Sequence, residues 1–368
     1  MRSGLQTTSR LPIVQPSLGR RGFLRGALVG AAGAWLVGGG GGCGNSRPRT
    51  TCNRNIGDAH RGAVASLAID PSGTLLASGG ADALIKLWRL PDGALLNTLT
   101  GHTQDVASLA ISPDGTRLAS GSSDSTVKLW GLSDGALLGT LAGHTLPVAG
   151  LAFTPDGLLL ASGSADATVK LWNVDDDSLL ATLAGPTLAV TDIAVSPDGT
   201  LLVSSSKDQT LNLWSLPDRI LLSTLPTQAG WPNSMAFSQD GTLLVTGGSS
   251  DGDAVIVWSM PACVQAKTFK GHLNEIGAVA MTPDQSMVAS GSLDETIRLW
   301  HAKDGGLVKA IEDHSKSVNA LAITPDGKML VSGSTDRSIR FWHLPSGSYA
   351  GSASDPALPV QTVVSFTC

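Results

Sequence analysis

Short apolar runs of four to six residues alternate with polar turns along most of the chain. One stretch shows the pattern clearly, with apolar runs at residues 106–111, 117–120, 126–130 and 136–141 separated by turns rich in Asp, Gly and Ser. Runs of this length between such turns predict β-strands. The stretch is therefore predicted to form a four-stranded antiparallel meander.

The same unit recurs seven times, and a tryptophan closes its third run in each copy. Spacings of 42, 42, 42, 44, 42 and 42 residues separate Trp88, Trp130, Trp172, Trp214, Trp258, Trp300 and Trp342. A single four-stranded sheet has two apolar faces that it cannot bury alone, so the copies must stack on one another. A closed ring covers both faces of every sheet. The sequence therefore predicts an all-β protein with the architecture of a seven-bladed β-propeller.

The residues that repeat in each copy resemble WD40 repeats. A Gly-His pair opens the unit, although Ala59 and Asp313 replace the glycine before His60 and His314. An Asp stands six residues before the tryptophan, and Leu-Trp closes the third run. The resemblance covers about residues 60–354. It implies a buried set of hydrogen bonds, here called a tetrad, in which Trp donates to a Ser or Thr, that hydroxyl meets the His, and the His meets the Asp. Carried over by position, the five complete tetrads are His60, Ser78, Asp82 and Trp88; His102, Ser120, Asp124 and Trp130; His144, Ser162, Asp166 and Trp172; His272, Ser290, Asp294 and Trp300; and His314, Ser332, Asp336 and Trp342.

The fourth and fifth copies depart from this pattern. Pro186 stands where the fourth copy needs its His, and Gln228 does so in the fifth. Two extra residues stretch the fifth turn at 249–253, which leaves open whether Asp251 or Asp253 takes the tetrad position. A buried hydrogen bond stabilises a protein by about 1 kcal/mol. We therefore expect blades four and five to open most easily.

Residues 1–42 differ from the rest, with five arginines, no acidic residue and an apolar run of sixteen residues at 27–42. The segment 19–25, Gly-Arg-Arg-Gly-Phe-Leu-Arg, resembles a twin-arginine export signal. Such a segment is a targeting signal and is not counted as part of the folded domain. The alternative is an uncleaved membrane anchor, because sixteen apolar residues are nearly long enough to span a bilayer.

The apolar run ends at Gly-Gly-Gly-Cys, residues 40–43, which is similar to a lipoprotein cleavage box with Cys43 as the lipidated residue. Gly40 departs from that box, which normally has Leu there, so a spare cysteine in an exported soluble protein is the alternative. Without the five arginines of residues 1–42, 20 basic residues stand against 30 acidic ones, a net charge of −10. That balance disfavours nucleic acid and anionic membrane surfaces as partners.

Two of the remaining cysteines lie near the ends of the predicted ring. Cys52 precedes the first strand and Cys368 ends the chain. Two alternatives remain for this pair: a disulfide between them in an oxidising compartment, or two unpaired thiols. Cys263 falls in a turn of the fifth copy, where we expect it to be free.

The ring can close in two ways. The fourth strand of blade seven comes either from residues 348–352 or from the N-terminal segment 53–57. The tail at 358–366 resembles the start of another first strand, and we expect it to pair near that N-terminal segment and protect the seam. The domains are then an export signal at 1–42, a tether at 43–57, the propeller at 58–354 and a C-terminal tail at 355–368, in a ring expected to be monomeric.

The loops that follow the tetrad histidines lie on one face, here called the top face, and are more apolar in blades three to five. Trp231 is the one tryptophan after residue 42 that the repeat does not explain. Exposed apolar patches mark interaction sites. The hypothesis is that a protein or peptide binds at Leu146, Pro147, Leu188, Trp231 and Pro232. The alternative is that Trp231 fills space left by the missing fifth histidine.

An enzyme is the less favoured interpretation. Five histidines occupy tetrads, and His301 and His343 directly follow the closing tryptophans, so none is left for a catalytic cluster. The acidic run at 175–177 fits a solvated turn better than a calcium site. A non-catalytic WD40 scaffold without cofactor or metal, exported to the periplasm or cell surface, is therefore predicted. A hydrolase or lactonase propeller with a cation in its channel is the alternative.

Overall fold

The computed structural model describes residues 52–227, 230–249, 254–358 and 360–365, and for 52–57 and 360–365 it describes the backbone. Every regular element longer than a turn within these ranges is a β-strand. The first seventeen strands are β1 (Cys52–Gly57), β2 (Val64–Ile69), β3 (Leu75–Gly80), β4 (Ile85–Arg89), β5 (Ala94–Leu99), β6 (Val106–Ile111), β7 (Arg117–Ser122), β8 (Thr126–Gly131), β9 (Leu137–Ala142), β10 (Val148–Phe153), β11 (Leu159–Ser164), β12 (Thr168–Asn173), β13 (Leu179–Ala184), β14 (Val190–Val195), β15 (Leu201–Ser206), β16 (Thr210–Ser215) and β17 (Ile220–Pro226). The others are β18 (Trp231–Phe237), β19 (Leu243–Ser249), β20 (Val255–Ser259), β21 (Val264–Phe269), β22 (Ile276–Met281), β23 (Met287–Ser292), β24 (Ile297–His301), β25 (Leu307–Ile311), β26 (Val318–Ile323), β27 (Met329–Ser334), β28 (Ile339–His343), β29 (Ser348–Ala353) and β30 (Val360–Ser365).

Seven four-stranded antiparallel sheets form the blades of a propeller, as the repeat predicts. Each blade consists of four consecutive strands, so blade one is β2–β5, blade two is β6–β9, and blade seven is β26–β29. The first strand of every blade has a register shift near its start, as between Val106 and Ser108. A β-bulge of this kind re-aims the side chains that follow it. These first strands line the central channel.

The hydrophobic core lies between the blades. Seven clusters of buried side chains occupy the seven junctions, and each combines residues of two neighbouring blades. Trp130 of blade two, for example, packs in one cluster with Leu87 and Leu99 of blade one. Every sheet therefore buries both faces only because the ring is closed, which is the physical reason for the architecture.

Blade seven takes its fourth strand from β29, the first of the two options that the sequence leaves open. The tail strand β30 pairs antiparallel with β1 in a separate two-stranded sheet, with Gly57 opposite Val360. This confirms the expected pairing of the C-terminal tail with the N-terminal segment. Phe341 of blade seven packs with Trp88 of blade one, which closes the core across the seam. Within the described ranges, no helix has the length and apolar character needed to cross a bilayer.

Candidate interaction surface

The tetrad of blade two shows how the repeat fixes its loops. Trp130 Nε1 donates to Ser120 Oγ at 2.8 Å, and Ser120 Oγ lies 2.8 Å from His102 Nε2. His102 Nδ1 in turn lies 2.8 Å from a carboxylate oxygen of Asp124. The structure brings the four predicted side chains together in the same way in blades one, three, six and seven.

Neutral histidines fit this arrangement. Burial lowers the pKa of His102, although the hydrogen bond and charge of Asp124 oppose that shift. A neutral ring that donates from Nδ1 to the carboxylate keeps Nε2 as the acceptor for the serine hydroxyl. Burial opposes ionisation of Asp124, but hydrogen bonds from Thr126, Thr103 and His102 outweigh it and hold its pKa at about 2. The aspartate is therefore charged and the histidine is not at neutral pH.

The tetrad aspartate also holds the backbone of two top-face loops. Asp124 accepts the N–H of Thr103, which follows the histidine, and the N–H of Thr126 in its own turn, both at 3.0 Å. Buried charged acceptors of this kind make hydrogen bonds about twice as strong as neutral ones. The loops of the top face are therefore anchored from below by the blade itself.

Blades four and five keep only parts of the tetrad. In blade four Pro186 is buried in place of the histidine, and Trp214 Nε1 reaches Ser204 Oγ at 3.2 Å. Asp208 instead binds Thr187, accepting its N–H at 2.6 Å and its hydroxyl at 2.9 Å. In blade five Trp258 Nε1 donates to the Thr246 hydroxyl at 3.0 Å. Gln228, Asp251 and Asp253 lie outside the described residues.

Two of the predicted partner-binding residues are exposed leucines at equivalent positions of neighbouring loops. Leu146 is 48% exposed and Leu188 is 54% exposed, whereas Pro147 is half-buried. The carbonyl of each leucine is held by a serine of its own blade: Ser164 Oγ donates to Leu146 O at 2.9 Å, and Ser206 Oγ donates to Leu188 O at 3.1 Å. The leucine side chains therefore project from loops whose backbone is fixed.

The predicted placement of Trp231 and Pro232 in a loop is wrong. Both residues open strand β18, where they pair with Ser249 and Gly248. Pro232 is buried, and a Cβ on Gly248 would lie 2.8 Å from the Pro232 Cα, so the two strands approach closely only because residue 248 is glycine. Pro232 therefore exposes almost no surface at the top face. Trp231 is half-buried and keeps part of its surface at the top of blade five.

Leu273 is the exposed residue that the sequence analysis passed over. It directly follows His272, and 85% of it is exposed, the largest value among the exposed large hydrophobic residues described. Asp294 accepts its N–H at 2.9 Å. The sequence did contain a signal for Leu273: the residue directly after the tetrad histidine is Leu in blade six, but Thr in blades two and three and Ser in blade seven. Because the polar residues Asn274 and Glu275 follow Leu273, the loop as a whole was interpreted as polar.

The central channel is a cavity of about 390 Å³ lined by the first strands of all seven blades. Asp192 of blade four is the ionisable residue among those that line it. Burial among the channel walls raises the pKa of Asp192 to about 7, although hydrogen bonds from the N–H groups of Met235 and Ile193 oppose the shift. The search of the sequence for histidine clusters missed this residue, since Asp192 carries no motif.

The described residues contain no group of three or more His, Cys, Asp or Glu side chains that could hold a metal ion. In the acidic turn, Asp175 lies 3.2 Å from Arg117, and Asp176 accepts the Ser178 hydroxyl at 2.6 Å. Cys263 is free and buried, and burial raises the pKa of its thiol to about 11. Such a thiol is unreactive at neutral pH. Cys43, Cys368 and the side chain of Cys52 lie outside the described residues, so the proposed lipidation and disulfide stay predictions.

Comparison with known proteins identifies the repeats. The model of the family "WD domain, G-beta repeat" matches residues 50–89, 93–131, 135–173, 177–215, 219–259, 263–301 and 305–343. These seven matches cover most of the sequence, and the chain belongs to this family. The resemblance to WD40 repeats and the count of seven are confirmed.

Two curated proteins share short segments with the chain. One is ribosome biogenesis protein erb1 of Botryotinia fuckeliana, 46% identical over 50 residues that make up 14% of this chain and 7% of that protein. The other is eukaryotic translation initiation factor 3 subunit I of Neurospora crassa, 38% identical over 55 residues, 15% of this chain and 16% of that protein. The aligned part is less than a fifth of either relative, little more than one repeat.

Proposed function

We propose that this protein is a non-catalytic interaction scaffold that binds a protein or peptide on the top face of its propeller and acts as a monomeric ring. WD40 propellers typically bind proteins, and the fold suits such a role. One observation carries the proposal: Leu146, Leu188 and Leu273 expose 48%, 54% and 85% of their surface on the top-face loops. Exposed aliphatic side chains on one rigid surface favour association.

Rigid display is the mechanism that the contacts support. In each of these three loops a tetrad-position aspartate accepts a backbone N–H, and a serine hydroxyl binds a backbone carbonyl. Loops held in this way lose little conformational entropy when a partner binds. The affinity then depends on the side chains that the loops present, with Trp231 at the edge of the same surface.

We further propose that the protein is exported and tethered to a membrane. The support is the twin-arginine-like segment at 19–25 and Cys43 after the glycine run, both read from the sequence. Mass spectrometry of the N-terminal peptide from native membranes tests the tether. A mature chain that begins at an acylated Cys43 supports it, and a chain that keeps residues 1–42 contradicts it.

The two relatives give no process for this chain. Their names place them in ribosome biogenesis and in translation initiation. Each shares about one repeat with the chain, and repeats of one family occur in proteins with unrelated functions. The identity of the partner is therefore sought by experiment.

The test is affinity capture from detergent-solubilised native membranes, with the intact protein beside a Leu146→Ser, Leu188→Ser, Leu273→Ser variant. A matched control replaces three leucines of fourth strands, Leu96, Leu138 and Leu222, which are 52%, 54% and 52% exposed on the outer rim. We expect a partner that the intact protein and the rim variant both retain and the top-face variant loses. Capture that survives the top-face changes but not the rim changes overturns the proposal.

A further inference from the structure

Asp192 breaks the repeat at the channel wall. The first residue after the register shift of each first strand is Ser66, Ser108, Gly150, Asp192, Ser234, Ala278 or Ala320. All of them except Gly150 line the central channel, and every one except Asp192 is small and neutral. The strands beside Asp192, β10 and β18, carry no ionisable side chain. The carboxylate therefore has no opposite charge within the described lining.

The structural role of Asp192 does not require a charge. Its carboxylate accepts the N–H of Met235 on the next blade at 2.7 Å and that of Ile193 at 2.8 Å. One blade further on, Ser234 accepts the N–H of Val279 through its hydroxyl at 3.2 Å. A neutral serine thus makes the same bond between blades as the aspartate does. The negative charge of Asp192 is left without a structural reason.

A carboxylate in such a place is unfavourable unless something compensates its charge. Asp192 is half-buried at the channel wall, and even partial removal of an ionised carboxylate from water is unfavourable when no opposite charge is near. The raised pKa of Asp192 has the same physical cause. Groups that are kept at such a cost are often functional.

We propose that the central channel binds an organic cation, with an alkylammonium or alkylguanidinium group paired to the carboxylate of Asp192. The cavity of about 390 Å³ is within the range of small-ligand sites. Ser66, Ser108, Asn233 and Asn319 add neutral polar groups to its wall. Asn233 and Asn319 bind backbone carbonyls of neighbouring blades at 3.2 and 3.1 Å, so the wall is pre-formed.

The donor set favours an organic cation over a metal ion. Calcium binds six to eight oxygen atoms, usually with several carboxylates, and zinc takes four ligands from Cys, His or carboxylates. The channel offers one carboxylate among the residues described. An ammonium or guanidinium group needs one charged partner and a few neutral acceptors, which this wall supplies. The cation belongs either to a free amine or to a Lys or Arg side chain of a bound protein.

The test uses the full-length protein and butylammonium chloride, which has the shape of a lysine side chain, measured by calorimetry at pH 8. Sodium chloride at equal ionic strength and 1-butanol are the ligand controls. We expect saturable binding of butylammonium, weakened more than tenfold in Asp192→Ser, which keeps a hydroxyl as in blade five. Binding to Asp105→Ser, which removes an exposed top-face carboxylate, is expected to be unchanged.

N-acetyl-lysine amide separates the two sources of the cation. Binding of this compound as tight as that of butylammonium points to a side chain of a partner, and binding of butylammonium alone points to a free amine. Lowering the pH to 5 should weaken binding more than tenfold, because Asp192 then takes up a proton. This measurement needs no variant.

Three results overturn the proposal. They are no saturable binding at pH 8, equal binding by Asp192→Ser or at pH 5, and displacement of butylammonium by an equal concentration of calcium chloride. None of them bears on the top-face leucines, so the channel site and the proposed scaffold function can fail separately.

Discussion

The ammonium nitrogen of Lys86 lies 2.6 Å from a carboxylate oxygen of Asp355, a residue 269 positions away in the sequence. Lys86 belongs to blade one, and Asp355 follows the last strand of blade seven. Lys86 Nζ also donates to Ala59 O at 2.7 Å, and its side chain is buried. The pair therefore ties the segment after the last blade to the first blade across the seam.

Asp355→Ala should destabilise the ring. Burial opposes ionisation of Asp355, but the hydrogen bonds from Lys86 and the Ala357 N–H, together with the charge of Lys86, outweigh it and lower the pKa of the carboxyl. Removing the partner leaves a buried ammonium, which costs 3–5 kcal/mol in a fully buried pair. Because Asp355 is partly exposed, we expect a loss of roughly 2 kcal/mol in the free energy of unfolding, measured in urea. Lys328→Ala breaks an exposed pair with Asp326 and should change it by less than about 0.5 kcal/mol. Equal losses of unfolding free energy in both variants would contradict a stabilising role for the buried pair of Lys86 and Asp355.

Ser120→Ala should cost more than Ser204→Ala. The Ser120 hydroxyl contacts both Trp130 and His102, whereas that of Ser204 has Trp214 as its tetrad partner. Each buried polar group left without a partner costs about 1–3 kcal/mol. We expect a loss of about 2–4 kcal/mol for Ser120→Ala and about half of that for Ser204→Ala, by urea unfolding. A Ser204→Ala loss as large as that of Ser120→Ala would show that the histidine adds nothing to the tetrad.

Pro186→His should complete the tetrad of blade four. The new imidazole would link Ser204 to Asp208, and two buried hydrogen bonds stabilise a protein by roughly 1–3 kcal/mol. Thr187 already binds Asp208 through its hydroxyl, so the gain is expected near the lower end. Hydrogen exchange should slow in β15 and β16, which are expected to exchange faster than their counterparts in blade two. Pro186→Ala is the control, because it removes the proline without adding a donor. Slowest exchange in blades four and five of the unaltered protein would refute the expectation that they open first.

Acid should unfold the ring through its tetrads. Burial lowers the pKa of His102, His144 and His314 below 6.5, so below that pH the unfolded chain binds more protons and stability falls as pH falls. A further loss is expected from about pH 4 to 2, because the pKa of Asp124 and Asp166 is about 2.

The measurement is urea unfolding at pH 8, 6 and 4.5 in the Asp192→Ser background. This background is needed because the raised pKa of Asp192 contributes the opposite slope, in which stability falls as pH rises from about 4 to 7. His314→Gln should give a shallower fall between pH 8 and 4.5, since one histidine no longer titrates. Stability that is equal at pH 8 and pH 4.5 would contradict neutral buried histidines.

Sequence reasoning predicted much of the candidate surface and missed its most informative parts. Leu146 and Leu188 were found because the loops after the histidines stand in register along the repeat. Pro232 was misplaced because strand β18 begins at Trp231, and this start depends on how closely Gly248 lets the next strand approach. Leu273 was overlooked because the apolar character was assessed for each loop as a whole, and not for each position along the repeat.

The sequence by itself determined the all-β architecture, the seven blades and the five tetrads. Each tetrad needs only residues of its own repeat, at fixed spacings that the chain repeats with little change, so the pattern can be read locally. The tertiary structure decided what depends on the two ends of the ring or two blades meeting: the choice of β29 to complete blade seven, the register in which β1 pairs with β30, the bond between Lys86 and Asp355, and the isolation of Asp192 in the channel. Closing the ring brings residues from opposite ends of the chain together, and no local spacing encodes which of them touch.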